Sequence, residues 1–320
     1  MGIDLGSVST NIVLIDENHK LHYKNYLRTQ GKPIEILKKA MEDMEKSMGE
    51  IKILGVGTTG SGRYLANTII GADIVKNEIT SHGIASLDYI PEVKTIIEIG
   101  GQDSKIIILR DKVIVDFAMN TVCAAGTGSF LDRQAERLGI EISEFGGLAL
   151  KSKNPVRIAG RCAVFAESDM IHKQQLGHKQ SDIAKGLCEA LVRNYLNNVG
   201  KGKDIQSPIV FQGGVAANMG IKQAFEEFLG QKVYVPEYYD VMGAIGAAIL
   251  AKGEVKKKGS TNFRGASIYK VDYNIRGFEC SGCSNLCEII EIKENDEILA
   301  RYGDKCGKWG IVNKNASKLA

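Results

Sequence analysis

The chain has 320 residues, 44% hydrophobic and 25% charged, with a formal net charge of +3 at pH 7. That composition suits a globular protein of one large or two modest domains. The charge is too small to argue for nucleic acid, and no basic stripe with interleaved aromatics occurs. No apolar run has spanning length and the N-terminus opens directly on a strand, so no membrane is expected and the cytoplasm is the expected compartment.

Residues 2–5 and 11–15 are short apolar runs joined by Gly6-Ser7-Val8-Ser9-Thr10, a hairpin with an unusually polar turn. Residues 33–48 place Ile34, Leu37, Met41, Met44 and Met48 on one helical stripe, with Pro33 near its start. A buried-type strand is predicted over 51–57, ending in Gly57-Thr58-Thr59-Gly60. Asp73, Glu78 and His82 follow; they could face a ligand cleft from Ala72–Gly83, but read first as solvated residues around a helix start. Residues 95–99 and 105–109 repeat the opening arrangement around Gly100-Gly101-Gln102-Asp103-Ser104. Two such units predict a duplicated α/β fold.

Helices are predicted at 127–138, 163–175 and 182–199. The last carries Ile183, Leu187, Leu191 and Tyr195 on one face, with Ser181 as its cap. Cys188 lies beside that face and reads as core. A strand at 207–211 leads into Gln212-Gly213-Gly214-Val215-Ala216-Ala217-Asn218. A small-residue helix at 241–252 (Gly243, Gly246, Ala247) is suited to close packing. Residues 253–267 read as a linker with a solvated Lys256-Lys257-Lys258 run, and 268–312 as strand-rich.

The turns carry the chemistry. Asp4 at a strand end can hold hydrated Mg²⁺, while the N–H groups and hydroxyls of Gly6, Ser7, Ser9 and Thr10 can face phosphate oxygens. Gly100 and Gly101 form the second such turn, where Gln102 or Asp103 could orient the attacking water. Gly213-Gly214 lets backbone approach an adenosine, with Asn218 at the following helix start.

Cys123 opens Cys123-Ala124-Ala125-Gly126-Thr127-Gly128, whose Gly126 and Thr127 are counted with the cofactor-binding residues, and Cys162 follows Gly160-Arg161. Each cysteine precedes a helical segment, where unpaired N–H groups and the helix dipole favour an anionic metal cluster. Two cysteines cannot complete a four-thiolate site, so a second subunit is expected to supply the rest. The chain has 7 cysteines, and in a reducing compartment ligand-like spacing points to metal or redox chemistry before disulfides. Its 5 histidines form no spaced pair. The tail places Cys280, Cys283 and Cys287 in C-x2-C-x3-C spacing with Cys306 beyond, a set that suits Zn²⁺ or a second iron–sulfur cluster.

The segments Asp4–Thr10, Glu98–Asp103 and Gln212–Asn218 resemble the phosphate and adenosine motifs of the actin, Hsp70 and sugar-kinase ATPase superfamily. The two cysteine turns, Val122–Phe130 and Gly160–Ser168, narrow the resemblance to the activators of 2-hydroxyacyl-CoA dehydratases, which are related to the ATPase subunits of benzoyl-CoA reductase. The likeness covers about residues 2–252. It implies a duplicated actin-like (ribonuclease H-like) ATPase fold with two lobes around a nucleotide cleft. Lobe I would comprise 1–90 plus 241–252, lobe II 91–240 and a linker 253–267, with a cysteine-rich β module at 268–320. It implies ATP/ADP and Mg²⁺ as ligands, and a homodimer sharing one [4Fe–4S] cluster held by Cys123 and Cys162 of each subunit. ATP-driven one-electron transfer would run from ferredoxin or flavodoxin to a partner dehydratase or reductase. The tail resembles the region after the activator part in longer activase-type proteins, which implies a fragment or a truncated member of that group. Two other readings stand beside this one: a sugar or amino-sugar kinase, for which no carboxylate base is identified, and a non-catalytic nucleotide-dependent regulatory module.

Overall fold

The computed structural model describes residues 1–309. These fall into two compact units, one of residues 1–76 with those from 247 onward, the other of residues 77–246.

The first unit opens with strands β1 (Gly2–Leu5), β2 (Ser9–Ile15) and β3 (Leu21–Arg28). Helix α1 (Pro33–Met48), β4 (Gly57–Thr59), α2 (Arg63–Ile70) and β5 (Ile74–Val75) follow. The sheet order is β3-β2-β1-β4-β5, with the first three strands antiparallel and β1, β4 and β5 parallel. Helix α1 begins at Pro33, whose fixed φ and missing N–H suit a first helical turn. Its buried stripe of Ile34, Leu37, Ala40, Met41 and Met44 shares a core with Ile3, Ile12 and Leu14.

The second unit repeats the plan. After α3 (Glu78–Tyr89) come β6 (Thr95–Ile99), β7 (Ser104–Arg110) and β8 (Val113–Asn120). Helices α4 (Gly128–Leu138), α5 (Ile142–Ala149), α6 (Ala163–Gln175) and α7 (Gln180–Asn198) precede β9 (Ile209–Gln212), α8 (Met219–Leu229) and β10 (Val233–Tyr234). Its order, β8-β7-β6-β9-β10, is that of the first sheet, with the same antiparallel trio and parallel pair. The duplication read from the two turns is the architecture of the molecule. Every residue of β6 is buried, because helices cover both faces of the sheet.

Helix α9 (Met242–Lys258) is followed by β11 (Tyr273–Glu279), β12 (Glu288–Glu294) and β13 (Glu297–Tyr302), a three-stranded antiparallel sheet. Of the expected 268–320 module, residues 310–320 lie outside the described residues.

The structure corrects several expectations. No strand covers 51–56, because β1 offers only Gly2, Ile3 and Asp4 as partners to Gly57–Thr59. Ser181 does not cap α7, which starts two residues earlier than expected, at Gln180 after Lys179; the adjacent Asp182 carboxylate instead receives the Ser152 hydroxyl at 2.7 Å. The first part of the expected linker is helical, since α9 runs to Lys258. Helix α3 packs Ile79 with Ile96, Ile107 and Leu109 inside the second unit. The tail joins the first unit, where Ile268 shares the core of Ile3 and Met41, and the Lys38 ammonium donates to the Val271 carbonyl at 2.6 Å.

Candidate functional site

The two polar turns superpose in their bonding. In the first, the Gly6 N–H donates to the Ser9 carbonyl at 2.9 Å; in the second, the Gly100 N–H donates to the Asp103 carbonyl at 3.0 Å. Aligned on these glycines, Asp4-Leu5-Gly6-Ser7 matches Glu98-Ile99-Gly100-Gly101. The residue equivalent to Asp4 is therefore Glu98, and Asp103 is equivalent to Ser9. The ladders agree, because Asp4 faces Asn11 and Glu98 faces Lys105 across their hairpins. In the first turn Ser7 is exposed and Ser9 half-buried. Thr10 is fully buried with its hydroxyl 3.0 Å from that of Thr29, so it braces the turn from within.

Under the second turn lies a charge cluster that sequence reasoning missed. Lys105 is 2% exposed, and its ammonium pairs with Glu78 at 2.8 Å, Asp103 at 2.9 Å and Glu98 at 3.0 Å. Burial alone would pull the Lys105 pKa down, but Glu98, Glu78 and Asp103 together hold it above its ordinary value. Burial pushes the Glu98 carboxyl up to about 8 against the pull of Lys105. Asp103 is thus held from behind, while Gln102 is exposed at the tip. The signal for Glu98 was present in the glycine alignment. Nothing local marks Glu78, which arrives from a separate helix.

Glu78 and His82 are not solvated, nor is Asp73. Asp73 is buried and accepts from the Val56 N–H at 2.8 Å and the Thr261 hydroxyl at 2.7 Å. His82 is buried beneath β9; the Gln212 amide nitrogen donates to its Nδ1 at 2.8 Å, while the Gln212 oxygen accepts from Ser86 at 2.9 Å. Burial first, and the Lys105 charge second, push the His82 pKa down to about 3.

The Gly213-Gly214 turn lies against the end of β6, where a Cβ on Gly213 would come 2.7 Å from Glu98 Oε1. Asn218 caps α8, its Oδ1 accepting from the Ile221 N–H at 3.1 Å. Its amide nitrogen is buried with no hydrogen-bond partner among the described residues.

The structure brings the two cysteine turns together. Cys123 Sγ lies 3.9 Å from the carbonyl oxygen of Arg161, the residue before Cys162. Cys123 stands at the N-terminus of a 3-10 turn over Ala124–Gly126, and Cys162 at that of α6. Asn120 fixes the first turn: its Oδ1 accepts from the Cys123 N–H at 2.9 Å and its Nδ2 donates to the Cys123 carbonyl at 2.8 Å. Val122 is 95% exposed, and Val164 and Phe165 beside Cys162 are exposed as well. Thr127 is buried, with its hydroxyl donating to the Ala124 carbonyl at 2.8 Å. Beyond it, the Gly128 N–H donates to the Gly100 carbonyl at 2.8 Å and the Ser129 N–H to the Gly101 carbonyl at 2.9 Å. Each cysteine stands at a helical N-terminus beside an exposed apolar rim, a donor set that suits thiolate ligation of an anionic cluster. Cys188 is buried, its thiol pushed up to about 12, and packs in the core as expected.

In the tail, the Cys280 N–H donates to the Cys287 carbonyl at 2.8 Å and Cys280 Sγ accepts from the Gly282 N–H at 3.4 Å. Cys283 and Cys306 are exposed, the latter 3.8 Å from an Asp304 oxygen. Among the described residues no group of three or more histidine, cysteine or acidic side chains converges on a metal position. Nor is any described helix long and apolar enough to cross a membrane.

Residues 1–251 match the model of the BadF/BadG/BcrA/BcrD ATPase family. An uncharacterised protein of Methanocaldococcus jannaschii is 33% identical over 265 residues, which cover 81% of this chain and 63% of that protein. The chain thus spans less than two thirds of that relative. Two solved structures are similar. Component A of the (R)-2-hydroxyglutaryl-CoA dehydratase of Acidaminococcus fermentans gives a TM-score of 0.73 at 31% identity, covering 79% of this chain and 98% of that one. The activator of 2-hydroxyisocaproyl-CoA dehydratase from Clostridium difficile, with ADPNP bound, gives 0.72 at 32% identity, covering 81% and 96%. The fold is accordingly the duplicated actin-like one, with a small β sheet added at the C-terminal side.

Proposed function

The chain belongs to the BadF/BadG/BcrA/BcrD ATPase family, and on that premise we propose that it is an ATP-hydrolysing reductive activator. It would deliver low-potential electrons one at a time to an iron–sulfur dehydratase or reductase of the 2-hydroxyacyl-CoA dehydratase type. Ferredoxin or flavodoxin would be the donor, and the cytoplasm the compartment. A [4Fe–4S] cluster held by Cys123 and Cys162 from each of two copies would supply the one-electron chemistry.

The remaining work falls to the chain's own residues. The N–H groups of Gly6, Ser7, Gly100 and Gly101 would bind phosphate oxygens, with the Ser7 and Ser9 hydroxyls beside them. Asp4 would hold hydrated Mg²⁺. Gln102 and Asp103 would orient the attacking water, Asp103 being held in place by Lys105 at 2.9 Å. The turn at Gly213-Gly214 would receive the adenosine, with the Asn218 amide nitrogen in reach of a polar group.

The observation that carries this reading is the joining of the Gly100-Gly101 turn to the segment that follows Cys123, through the N–H groups of Gly128 and Ser129. A phosphate turn bonded to a cysteine turn is what an ATPase that governs an electron carrier needs. A sugar kinase has no use for it. The test is anaerobic iron and sulfide content of the full chain together with its mass in solution. The expected result is a dimer in which Cys162→Ser removes about four irons and four sulfides per two chains. A monomer whose metal content is unchanged by Cys162→Ser would overturn the reading. For the four tail cysteines, a Zn²⁺ or cluster role remains a proposal, checked in the same assay by the metal left in Cys162→Ser.

A further inference from the structure

Cys123 and Cys162 come from turns 39 positions apart, and one side chain touches both. Asn194, on α7, is 1% exposed. Its amide nitrogen donates to the Arg161 carbonyl at 3.1 Å and lies 3.9 Å from Cys123 Sγ. Its Oδ1 accepts from the Asn198 amide at 2.9 Å. The orientation is chemically determined. The Arg161 carbonyl is an acceptor only, and a ligating thiolate would be one too, so the nitrogen must face them and the oxygen must face Asn198.

The same face of α7 supports both turns. A Cβ on Gly126 would stand 2.8 Å from Asn194 Oδ1, and one on Gly160 would stand 2.9 Å from the Ala190 carbonyl and 3.1 Å from the Arg193 Cβ. The Arg193 guanidinium donates to the Ile158 carbonyl at 2.7 Å. Residues 190, 193, 194 and 198 lie at helical spacing, so one side of α7 forms a shelf under the two cysteine turns. Glycine at 126 and 160 lets the backbone settle onto it.

We propose that Asn194 is the positioning residue of the cysteine pair: it clasps the Cys162 turn to the Cys123 turn and presents an N–H to the Cys123 sulfur. The proposal rests on the cluster reading above. A buried donor beside a ligating sulfur favours the more negative, reduced state of a cluster and so raises its potential.

The test uses the full chain, reconstituted anaerobically with iron and sulfide. It compares wild type, Asn194→Ala, Asn198→Ala and, as a control at an exposed position of the same helix, Asn197→Ala. Three quantities are read: iron retained against a chelator, midpoint potential by redox titration, and ADP affinity. Asn194→Ala is expected to lose iron several-fold faster and to titrate at a more negative potential, with ADP affinity unchanged. Asn198→Ala, which frees the amide to turn without emptying a buried position, should move both metal readouts the same way but less. This second variant keeps the test decisive if Asn194→Ala folds poorly. Wild-type iron retention and potential in Asn194→Ala or in Asn198→Ala, with Asn197→Ala unchanged and Cys123→Ser devoid of iron, would overturn the clasp and leave the cluster reading standing. A wild-type chain whose iron content does not depend on Cys123 would overturn both.

Discussion

The backbone N–H of Gly128 donates to the carbonyl oxygen of Gly100 at 2.8 Å, and the next residue repeats the bond, Ser129 to Gly101 at 2.9 Å. The Ser129 hydroxyl also donates to the Gly101 carbonyl. The start of α4 is thus fastened to the second phosphate-type turn by successive backbone groups, with Cys123 five residues upstream. Movement of that turn on loss of a terminal phosphate would be passed on without an intervening side chain.

Gly128→Ala should wedge this joint. A Cβ there would lie 3.1 Å from the Gly100 carbonyl and 3.2 Å from a Val215 methyl, so the joined backbone would have to give by a few tenths of an ångström. The expected stability cost is about 1–2 kcal/mol. The sharper readout is electrons delivered per ATP hydrolysed, which should fall severalfold while iron content stays at the wild-type level. An unchanged ratio would separate the joint from coupling.

Lys105→Met should be among the most damaging single changes. It would leave Glu78, Glu98 and Asp103 without their shared cation in a buried place, at a cost of about 3–5 kcal/mol. ATP hydrolysis should be lost with it, because Asp103 is no longer held. Adding Glu98→Gln to Lys105→Met should restore part of the stability and none of the hydrolysis, as read by urea unfolding and phosphate release.

His82 makes stability depend on acid. Its folded pKa, about 3, lies below the unfolded value near 6.5. The folded state therefore binds fewer protons over that range, and the stabilisation is present above pH 6.5 and lost as pH falls toward 3. The ceiling is about 5 kcal/mol at 1.36 kcal/mol per unit. His82→Gln should flatten the fall in unfolding free energy between pH 6.5 and 4, though at a lower starting stability. An equally steep fall in the variant would assign the dependence to other groups.

Asp73→Ala should loosen the segment after α9. The carboxylate accepts from the Val56 and Asn262 N–H groups and from the Thr261 hydroxyl. Removing it leaves buried donors unsatisfied, at about 2–3 kcal/mol. Faster amide exchange at Val56 and Asn262, with the second unit unaffected, would be the signature.

The parts legible in the sequence are those where local pattern and tertiary role coincide. The stripe of α1 buries the side it advertises, and the two polar turns announced the repeated sheet. The cysteine turns stood out by residue type, but that the Cys123 sulfur lies beside the Arg161 carbonyl was not legible from spacing. What escaped was long-range. Glu78 and His82 look like helix-start polar residues, and only the packing of α3 against β7 and β9 makes one an ion-pair partner and the other a buried acceptor. Asn194 is one of several polar residues on α7, and its meaning depends on turns 33 and 71 residues away. Residues 51–56 have strand composition but no neighbouring strand to pair with, so propensity alone misled.

Tyr195 follows Asn194 directly, and its hydroxyl donates to the Lys105 backbone carbonyl at 2.7 Å. One step along α7 therefore separates the residue that touches the cysteine turns from the one that grips the strand behind Asp103. The two point about 100° apart around the helix axis. Any roll of α7 that released one would displace the other, as two cams on a single shaft turn together. On the proposed function, a substitution chosen to retune one sulfur's surroundings should also be felt in the timing of hydrolysis.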